Sequence, residues 1–487
     1  MMLELNMIAL LSFTLSLFLF SYTIRSFIFI FISKKYVSEN KCLLPGPYHS
    51  TCKSLPGLPT GSNEIRLSRL VTVQKSLTEP INPLNSDIPY VSVIVPMHNE
   101  RLVVDRLMRS CAALTYDPDR FEIIVIDDSN DGTVDLLKSW EPKIPNLRVI
   151  HRRERKGWKG GALNEALKKM NSTSSYVLVA DADILFVNDT LQKFVLHFLR
   201  YAEKCNCVIQ GFPISKAYPE KYYSKHTSID TFMTLINNWV ASAIDFRIAQ
   251  RNIVEFLAKN CMNLPVQVTG SLFMIRSEII KALTFSNDLT EDWDLTLDLS
   301  FHPMVRTNDC NLDGRKKVIF EPSLISFNEA ATGLGTYFRQ RIRVSEGHTR
   351  GFRRRIWTIL ISKIPTIDKV EFFFTGLHYA KSICILALIL FDISLLILLL
   401  LRNDNNLLAN NSFIISSLSM QTVSLSLAII TNIISISVLE QIEKYSMKHV
   451  LYLLSLNLFT VPALALGSVL GLIRNKGYFY RTRRNLY

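Results

Sequence analysis

The sequence predicts an α/β domain with a mostly parallel sheet, set between apolar segments long enough to cross a bilayer. Three observations carry this. Short apolar runs alternate with helix-patterned segments from Tyr90 to Ala180, the signature of a parallel sheet with helices on both faces. Leu5–Ile32 is almost wholly apolar, interrupted among a few small polar residues only by Arg25. Asp181-Ala182-Asp183 ends the apolar run Tyr176–Ala180. Two carboxylates there project from a strand's carboxyl end, where open α/β sheets bind ligands.

The first apolar stretch exceeds the roughly 20 residues that cross a bilayer. It has neither the short apolar core nor the small-residue cleavage site of a signal peptide, so residues 1–33 read as an uncleaved transmembrane anchor. Lys34-Lys35 follow it and place the soluble part on the cytoplasmic side. Residues 34–89 carry several prolines and glycines without clear periodicity; they read as a linker with one short helix.

The regular pattern then begins. Val91–Val95, Phe121–Ile126, Leu147–Ile150 and Tyr176–Ala180 are strands; Glu100–Leu114, Thr133–Trp140 and Ala162–Met170 are helices. The soluble domain is drawn at 90–305, a basic interfacial segment at 306–370 and a membrane region at 371–487. That last region holds apolar stretches at Phe372–Leu401, Phe413–Leu439 and Val450–Ile473. Asp392, inside the first of them, should face protein or water. Three spans there put the basic tail Arg481-Thr482-Arg483-Arg484 outside, against the same charge rule that sets the domain inside. The sequence leaves that conflict open.

The formal net charge is +13, concentrated at Arg152–Lys156, at Arg339–Arg355 and in the tail. Beside membrane spans, an anionic lipid face and an anionic substrate account for it. Nucleic acid is not predicted as a partner, because no recognition module accompanies the basic runs. The eight cysteines form no dense framework. Cys205-x-Cys207 has no matching second pair, so free thiols are expected rather than zinc, and Cys42 and Cys52 should stay unpaired in a reducing compartment.

Six polar clusters bear chemistry. The oxygens of Asp181 and Asp183 suit Mg²⁺ or Mn²⁺ beside a diphosphate; a solvated turn is the plain alternative. Asp127-Asp128 ends the second strand before the turn-rich Ser129–Thr133, placed to accept hydrogen bonds from a base or ribose, or to cap the next helix. Arg155–Asn164 joins three cations to three glycines ahead of a helix, a pattern that suits phosphate but lacks P-loop spacing. Val268-Thr269-Gly270-Ser271, read as joining two strands, offers a small-residue patch for an acceptor or a plain turn. Thr290-Glu291-Asp292-Trp293-Asp294 opens a helix. Its acids complement the helix dipole or supply a general base. Gln340-Arg341-Ile342-Arg343 lies in the basic run before the spans; Arg343 suits a diphosphate and Arg350–Arg355 suit lipid headgroups.

Taken in order, Asp127-Asp128, Lys159-Gly160-Gly161-Ala162-Leu163, Asp181-x-Asp183, Thr290-Glu291-Asp292 and Gln340-x-x-Arg343 resemble the membrane-embedded family-2 glycosyltransferases. That group includes cellulose, mannan and hyaluronan synthases and lipid glucosyltransferases. Arg152–Leu167 looks most like the plant mannan-synthase-like branch. The resemblance implies a Rossmann-like GT-A domain, inversion at the anomeric carbon, a UDP- or GDP-hexose donor with Mg²⁺ or Mn²⁺, and a glycan or lipid acceptor at the bilayer. It implies that Asp127 and Asp128 hold the nucleoside, with Glu100 also on the donor side. Lys159 would touch the diphosphate. Asp183 would bind metal, and Asp181 would face the sugar-nucleotide and share the metal. Asp292 would be the base beside Glu291, Thr269, Gly270 and Ser271 would lie on the acceptor side, and Gln340 and Arg343 would close over the donor. One departure stands out: the family pattern is Gln-x-x-Arg-Trp, and residue 344 is Val. Without that aromatic face, single transfer to a lipid or short glycan competes with chain elongation, and a non-catalytic degenerate partner is the further alternative.

Overall fold

The computed structural model describes residues 2–39, 88–200, 208–216, 228–301, 318–329, 333–402, 412–439 and 445–477. Most of the expected linker, Cys42, Cys52, Cys205, Cys207 and the basic tail lie outside these.

The chain opens with helix α1, Met2–Glu39. An eight-stranded sheet follows in the order β3-β2-β1-β4-β7-β6-β8-β5. Its left half is β1 (Val91–Met97), β2 (Phe121–Asp127), β3 (Leu147–His151) and β4 (Tyr176–Val179). These four pair in parallel, and β1, β2 and β4 read as unbroken Val/Ile-rich runs because helices cover both faces. The right half holds β5 (Leu185–Phe186), β6 (Val208–Lys216), β7 (Phe273–Arg276) and β8 (Val318–Glu329). Here β6 and β8 run parallel, while β7 and β5 are reversed against their neighbours. The result is a mixed, mostly parallel GT-A-like sheet.

Alternation along β1 sorts the core. Ile94 faces one apolar layer with Ala162, Leu163 and Ala166 of α4 (Trp158–Lys169). Val93 and Val95 face the other, with Leu107 and Met108 of α2 (Val104–Ala112) and Phe194 and Phe198 of α5 (Thr190–Arg200). A short α3 (Thr133–Lys138) links β2 to β3. Phe29, Ile30 and Val37 of α1 belong to the first layer, so the inner end of the N-terminal helix is part of the domain core. Burying Phe29 and Ile30 contributes roughly 1.5–3 kcal/mol each.

Beyond β6, helix α6 (Ser228–Ala249) continues through a π-helical stretch, Gln250–Phe256, into α7 (Leu257–Cys261). After β7 come α8 (Ser277–Leu283) and α9 (Glu291–Phe301). A long charged helix, α10 (Leu334–Ile361), and α11 (Thr366–Gly376) lead to three apolar helices. These are α12 (Lys381–Arg402), α13 (Ser412–Leu439) and α14 (Met447–Ile473). With α1 they make four helices long and apolar enough to cross a membrane.

Helices α1, α12 and α13 pack together. Ser12 and Ser417 share a 2.5 Å hydrogen bond, Ala9, Leu395 and Ile414 form a common apolar contact, and Asp392 accepts from Gln421 at 3.4 Å. The expected protein partner for Asp392 is therefore Gln421. Arg25 of α1 is likewise satisfied, by Glu255 at 2.8 Å and Glu371 at 2.5 Å.

Helix α14 touches α12 and α6 and also runs beside α10, in the same direction. Leu456 meets Tyr337, Leu464 O accepts from the Ser345 hydroxyl at 2.7 Å, and Leu472 O accepts from Arg353 at 2.6 Å. Glycines permit this approach: a Cβ on Gly467 would stand 2.5 Å from Ile342 O, and one on Gly471 2.5 Å from Glu346 O.

Several sequence expectations are corrected. Helix α1 continues through Lys34–Glu39, into the expected linker. Strand β8 falls inside the segment 306–370, so the sheet does not end at 305; its apolar Ile319, Phe320, Ile325 and Phe327 were overshadowed by the basic residues that follow. No strand runs directly into Val268. The apolar stretch from Phe372 divides at residues 377–380 into α11 and α12. Helix α4 begins at Trp158, so Lys159-Gly160-Gly161 form its first turn and not a loop ahead of it.

Candidate active site

The end of β4 passes directly into Asp181, whose N–H donates to Ser271 Oγ at 2.9 Å. Lys159, in the first turn of α4, reaches across to it. Its ammonium lies 2.8 Å from Asp181 Oδ1, 3.0 Å from Glu291 Oε1 and 2.7 Å from the carbonyl of Gly270. Burial works against the charge on Lys159, but Asp181 and Glu291 outweigh it and hold its pKa above the ordinary lysine value. Gly270 has φ +78°, and a Cβ there would stand 3.1 Å from Asp292 Oδ2 and 3.3 Å from Lys159 Nζ. Both the left-handed backbone and the close approach call for glycine.

Asp181, Lys159, Gly270, Ser271, Glu291 and Asp292 thus meet at the carboxyl end of β4, beside the strand-order switch between β1 and β4 where such sheets bind ligands. Arg343 of α10 faces the same group from the membrane-helix side; burial lowers its pKa, with Glu291 and Asp181 opposing. Burial first, and the Glu291 charge second, push Asp292 up to about 7, with Lys159 opposing. A carboxyl near neutrality is suited to accept a proton in turnover.

The turn at Thr269–Leu272 is set by a residue that sequence reading passed over. Gln210, fully buried in β6, accepts from Thr269 N–H at 2.9 Å and donates to the carbonyls of Gly211, Ser271 and Leu272. A polar side chain inside an otherwise apolar strand was the available signal.

Asp127 and Asp128, expected to hold the nucleoside, are both engaged by neighbouring side chains. Asp127 is fully buried and accepts from Ser129 N–H at 3.2 Å, the Ser129 hydroxyl and His151 Nδ1 at 2.8 Å. Asp128 is held by Arg152, with Nε at 2.6 Å. Both carboxylates organise the loop after β2. His151 and Arg152 carried no weight in the sequence because their partners lie 24 residues away. Glu100 stands after β1 and its carbonyl accepts from Val103 N–H. Asp183 is half-buried two residues beyond Asp181, and Gln340 lies three residues before Arg343 on one face of α10.

Arg350–Arg355 do not form a lipid-facing strip. Arg350 is fully buried between Asp288 at 2.6 Å and Glu346 at 2.9 Å. Arg354 reaches Asp288 and Asp294, and Arg355 reaches Asp294 and Asp298. Amphipathic spacing alone hid these acids, which lie on α9 and the turn before it. The network fastens α10 to the helix that carries Asp292.

No group of three His, Cys, Asp or Glu side chains converges to hold a metal among the described residues. A Mg²⁺ or Mn²⁺ site made of one or two carboxylates and completed by substrate phosphate needs no such group. Asp183 fits that pattern, while Asp181 already carries Lys159.

Residues 92–259 match the family model of glycosyl transferase family 2. The chain is 26% identical over 277 residues to the probable glycosyltransferase YdaM of Bacillus subtilis, covering 54% of this chain and 56% of that one. It is 37% identical over 121 residues to glucomannan 4-beta-mannosyltransferase 9 of Arabidopsis thaliana, covering 24% of this chain and 23% of the relative. The chain thus spans about half the length of the first relative and about a quarter of the second. Among solved structures, the mannosyltransferase PcManGT from Pyrobaculum calidifontis, in complex with GDP-Man and Mn²⁺, superposes with a TM-score of 0.51 at 18% identity. That match covers 83% of this chain and 93% of the other, and it bears on the fold.

Proposed function

We propose that the chain is an inverting membrane glycosyltransferase that moves a hexose from a UDP- or GDP-sugar to a glycan or lipid-linked acceptor. The observation that carries this is the convergence of a near-neutral Asp292 with Asp181, Lys159, Gly270 and Arg343 at the sheet's carboxyl edge. The mannosyltransferase relatives favour mannose as the sugar and GDP as the nucleotide.

The reaction is a single displacement. An acceptor hydroxyl attacks C1 of the donor sugar, its proton passes to Asp292, and the bond from C1 to the diphosphate oxygen breaks. Lys159 keeps Asp181 and Glu291 in place around the sugar. Arg343 meets the negative charge that grows on the leaving diphosphate, where fixed charge is most effective. A Mg²⁺ or Mn²⁺ held by Asp183, with Asp181 as second donor, would stabilise the same charge. Gly270 leaves room for the acceptor ring against Asp292.

We place α1, α12 and α13 across the bilayer and α14 along its cytoplasmic surface. Helix α10 carries Arg339, Arg341, Arg343, Glu346, Arg350, Arg353, Arg354 and Arg355, too many charges to enter a membrane core. Helix α14 lies against it from Tyr337 to Arg353 while also touching α12, which supports a place at the edge of the membrane. Its free face is apolar, with Leu451, Leu458, Phe459, Leu466 and Ile473 exposed, as in helices that lie in the interface plane. The catalytic domain and the end of α14 would then stand on one side.

The test is a screen of GDP- and UDP-hexoses with Mn²⁺ or Mg²⁺ on the purified full chain in native lipid, followed by mass analysis of products. One added hexose on a lipid supports single transfer; a ladder supports elongation. No transfer and no donor hydrolysis with any sugar would reject the enzyme reading.

A further inference from the structure

Three arginines beside the acid cluster have no acid of their own. Arg247 lies on α6, Arg251 in the π-helical stretch and Arg341 on α10. None of them makes an ion pair among the described residues, and the Nε atoms of Arg251 and Arg341 are buried without a hydrogen-bond partner. The guanidinium groups of Arg247 and Arg341 stand on one ring, that of Tyr337, at 5.6 and 5.0 Å, and Arg251 lies 5.7 Å from the ring of Phe256. Several other buried cations nearby are paired: Arg25 and Lys259 with Glu255 and Glu371, Arg350 with Asp288 and Glu346. Glu255 is the acid nearest Arg251, and it is already engaged twice. The three arginines burden one another: burial first, then mutual repulsion, lowers the pKa of both Arg247 and Arg251.

Unpaired cations collected in one place are unfavourable unless an anion arrives to meet them. Their position says from where. On one side, Arg341 is two residues from Arg343, which faces Asp181, Glu291 and Asp292. On the other, Gln250, next to Arg251, donates to Asn432 and Ser435 of the apolar helix α13, and Arg247 lies near Lys381, the first residue of α12. The cations thus lead from the apolar helices to the general base. The donor's diphosphate belongs at the other end, by Asp183 and Arg343.

We infer that Arg247, Arg251 and Arg341 bind the phosphate or diphosphate of a lipid-linked sugar acceptor, holding its sugar hydroxyl toward Asp292. The inference rests on the glycosyltransferase reading and names its acceptor class. Guanidinium groups suit phosphate oxygens through paired N–H donors.

The test uses the full chain in phosphatidylcholine nanodiscs, with farnesyl diphosphate as probe and GDP with Mn²⁺ as the donor-site control. Farnesyl diphosphate should bind whether or not GDP is present. Arg251→Gln and Arg341→Gln should each weaken it by about tenfold, the loss of one charge-assisted hydrogen bond, while GDP affinity and melting temperature hold. Arg251→Lys should recover part of the binding. Phosphatidic acid at equal concentration should not displace the probe. Displacement by GDP would make this the donor's own site, displacement by phosphatidic acid a general lipid site, and unchanged binding in both variants would dismiss the arginines; each overturns the inference. Failure of the unaltered chain to bind GDP or UDP would instead count against the glycosyltransferase reading.

Discussion

The imidazole of His348 lies flat on the indole of Trp293, ring centres 4.3 Å apart and planes within 14°. Trp293 follows Asp292, so this carboxyl is backed by a ring stacked on α10. Burial drops His348 to about 3, so the ring is neutral at working pH. A neutral histidine that resists protonation adds stability above its ordinary pKa of 6.5 and loses it as pH falls toward 3. His348→Phe should flatten that acid-side loss in thermal melts. His348→Ala should lower stability by roughly 1 kcal/mol or more, the worth of an aromatic pair and its packing.

Asp292→Asn should cut kcat by about 10²–10⁴-fold while donor affinity holds. In the unaltered enzyme, kcat/KM should rise with pH through about 7 as Asp292 loses its proton, and the variant should lose that limb. A pH–rate profile identical in both would remove Asp292 from the base role.

Gly270→Ala should fail for two separable reasons. Its φ of +78° strains any side chain, and the added methyl stands 3.1 Å from Asp292 Oδ2. Strain there costs of order 1–3 kcal/mol, visible in melting, whereas displacement of Asp292 shows in kcat at permissive temperature.

Gly467→Leu, remote from the cluster, should lower activity. A side chain at 467 collides with Ile342 O and Ser345 on α10, beside Arg343. Donor KM should rise if Arg343 moves; an unaltered KM would show that α10 absorbs the displacement.

Asn475→Cys should react with a membrane-impermeant thiol reagent from the same side as Cys261, which is exposed on the catalytic domain. Labelling of the two positions in opposite vesicle orientations would mean that α14 crosses the bilayer.

Much of the left half of the sheet was legible because each strand is an unbroken apolar run bounded by turn residues, and the clusters at its carboxyl ends could be ordered by position. Asp181, Lys159, Gly270 and Asp292 do meet. What the chain concealed was pairing at long range. Asp128, read as open to ligand, is neutralised by Arg152. Arg354 and Arg355 looked like surface charge until Asp294 and Asp298 stood opposite. Helix α14 has the hydropathy of a span, and its long contact with charged α10 could not be read from composition, which does not report what a helix lies against.

Arg25 was the lone interruption in an apolar segment, and it proves to be the keystone of a neutral quartet with Glu255, Lys259 and Glu371. A catalytic domain cut free of its first helix would therefore not be the same protein in a more convenient form. It would carry two buried acids against one lysine and an open seam where Phe29 and Ile30 had been. Attempts to study the chemistry in a water-soluble fragment would begin from a damaged object.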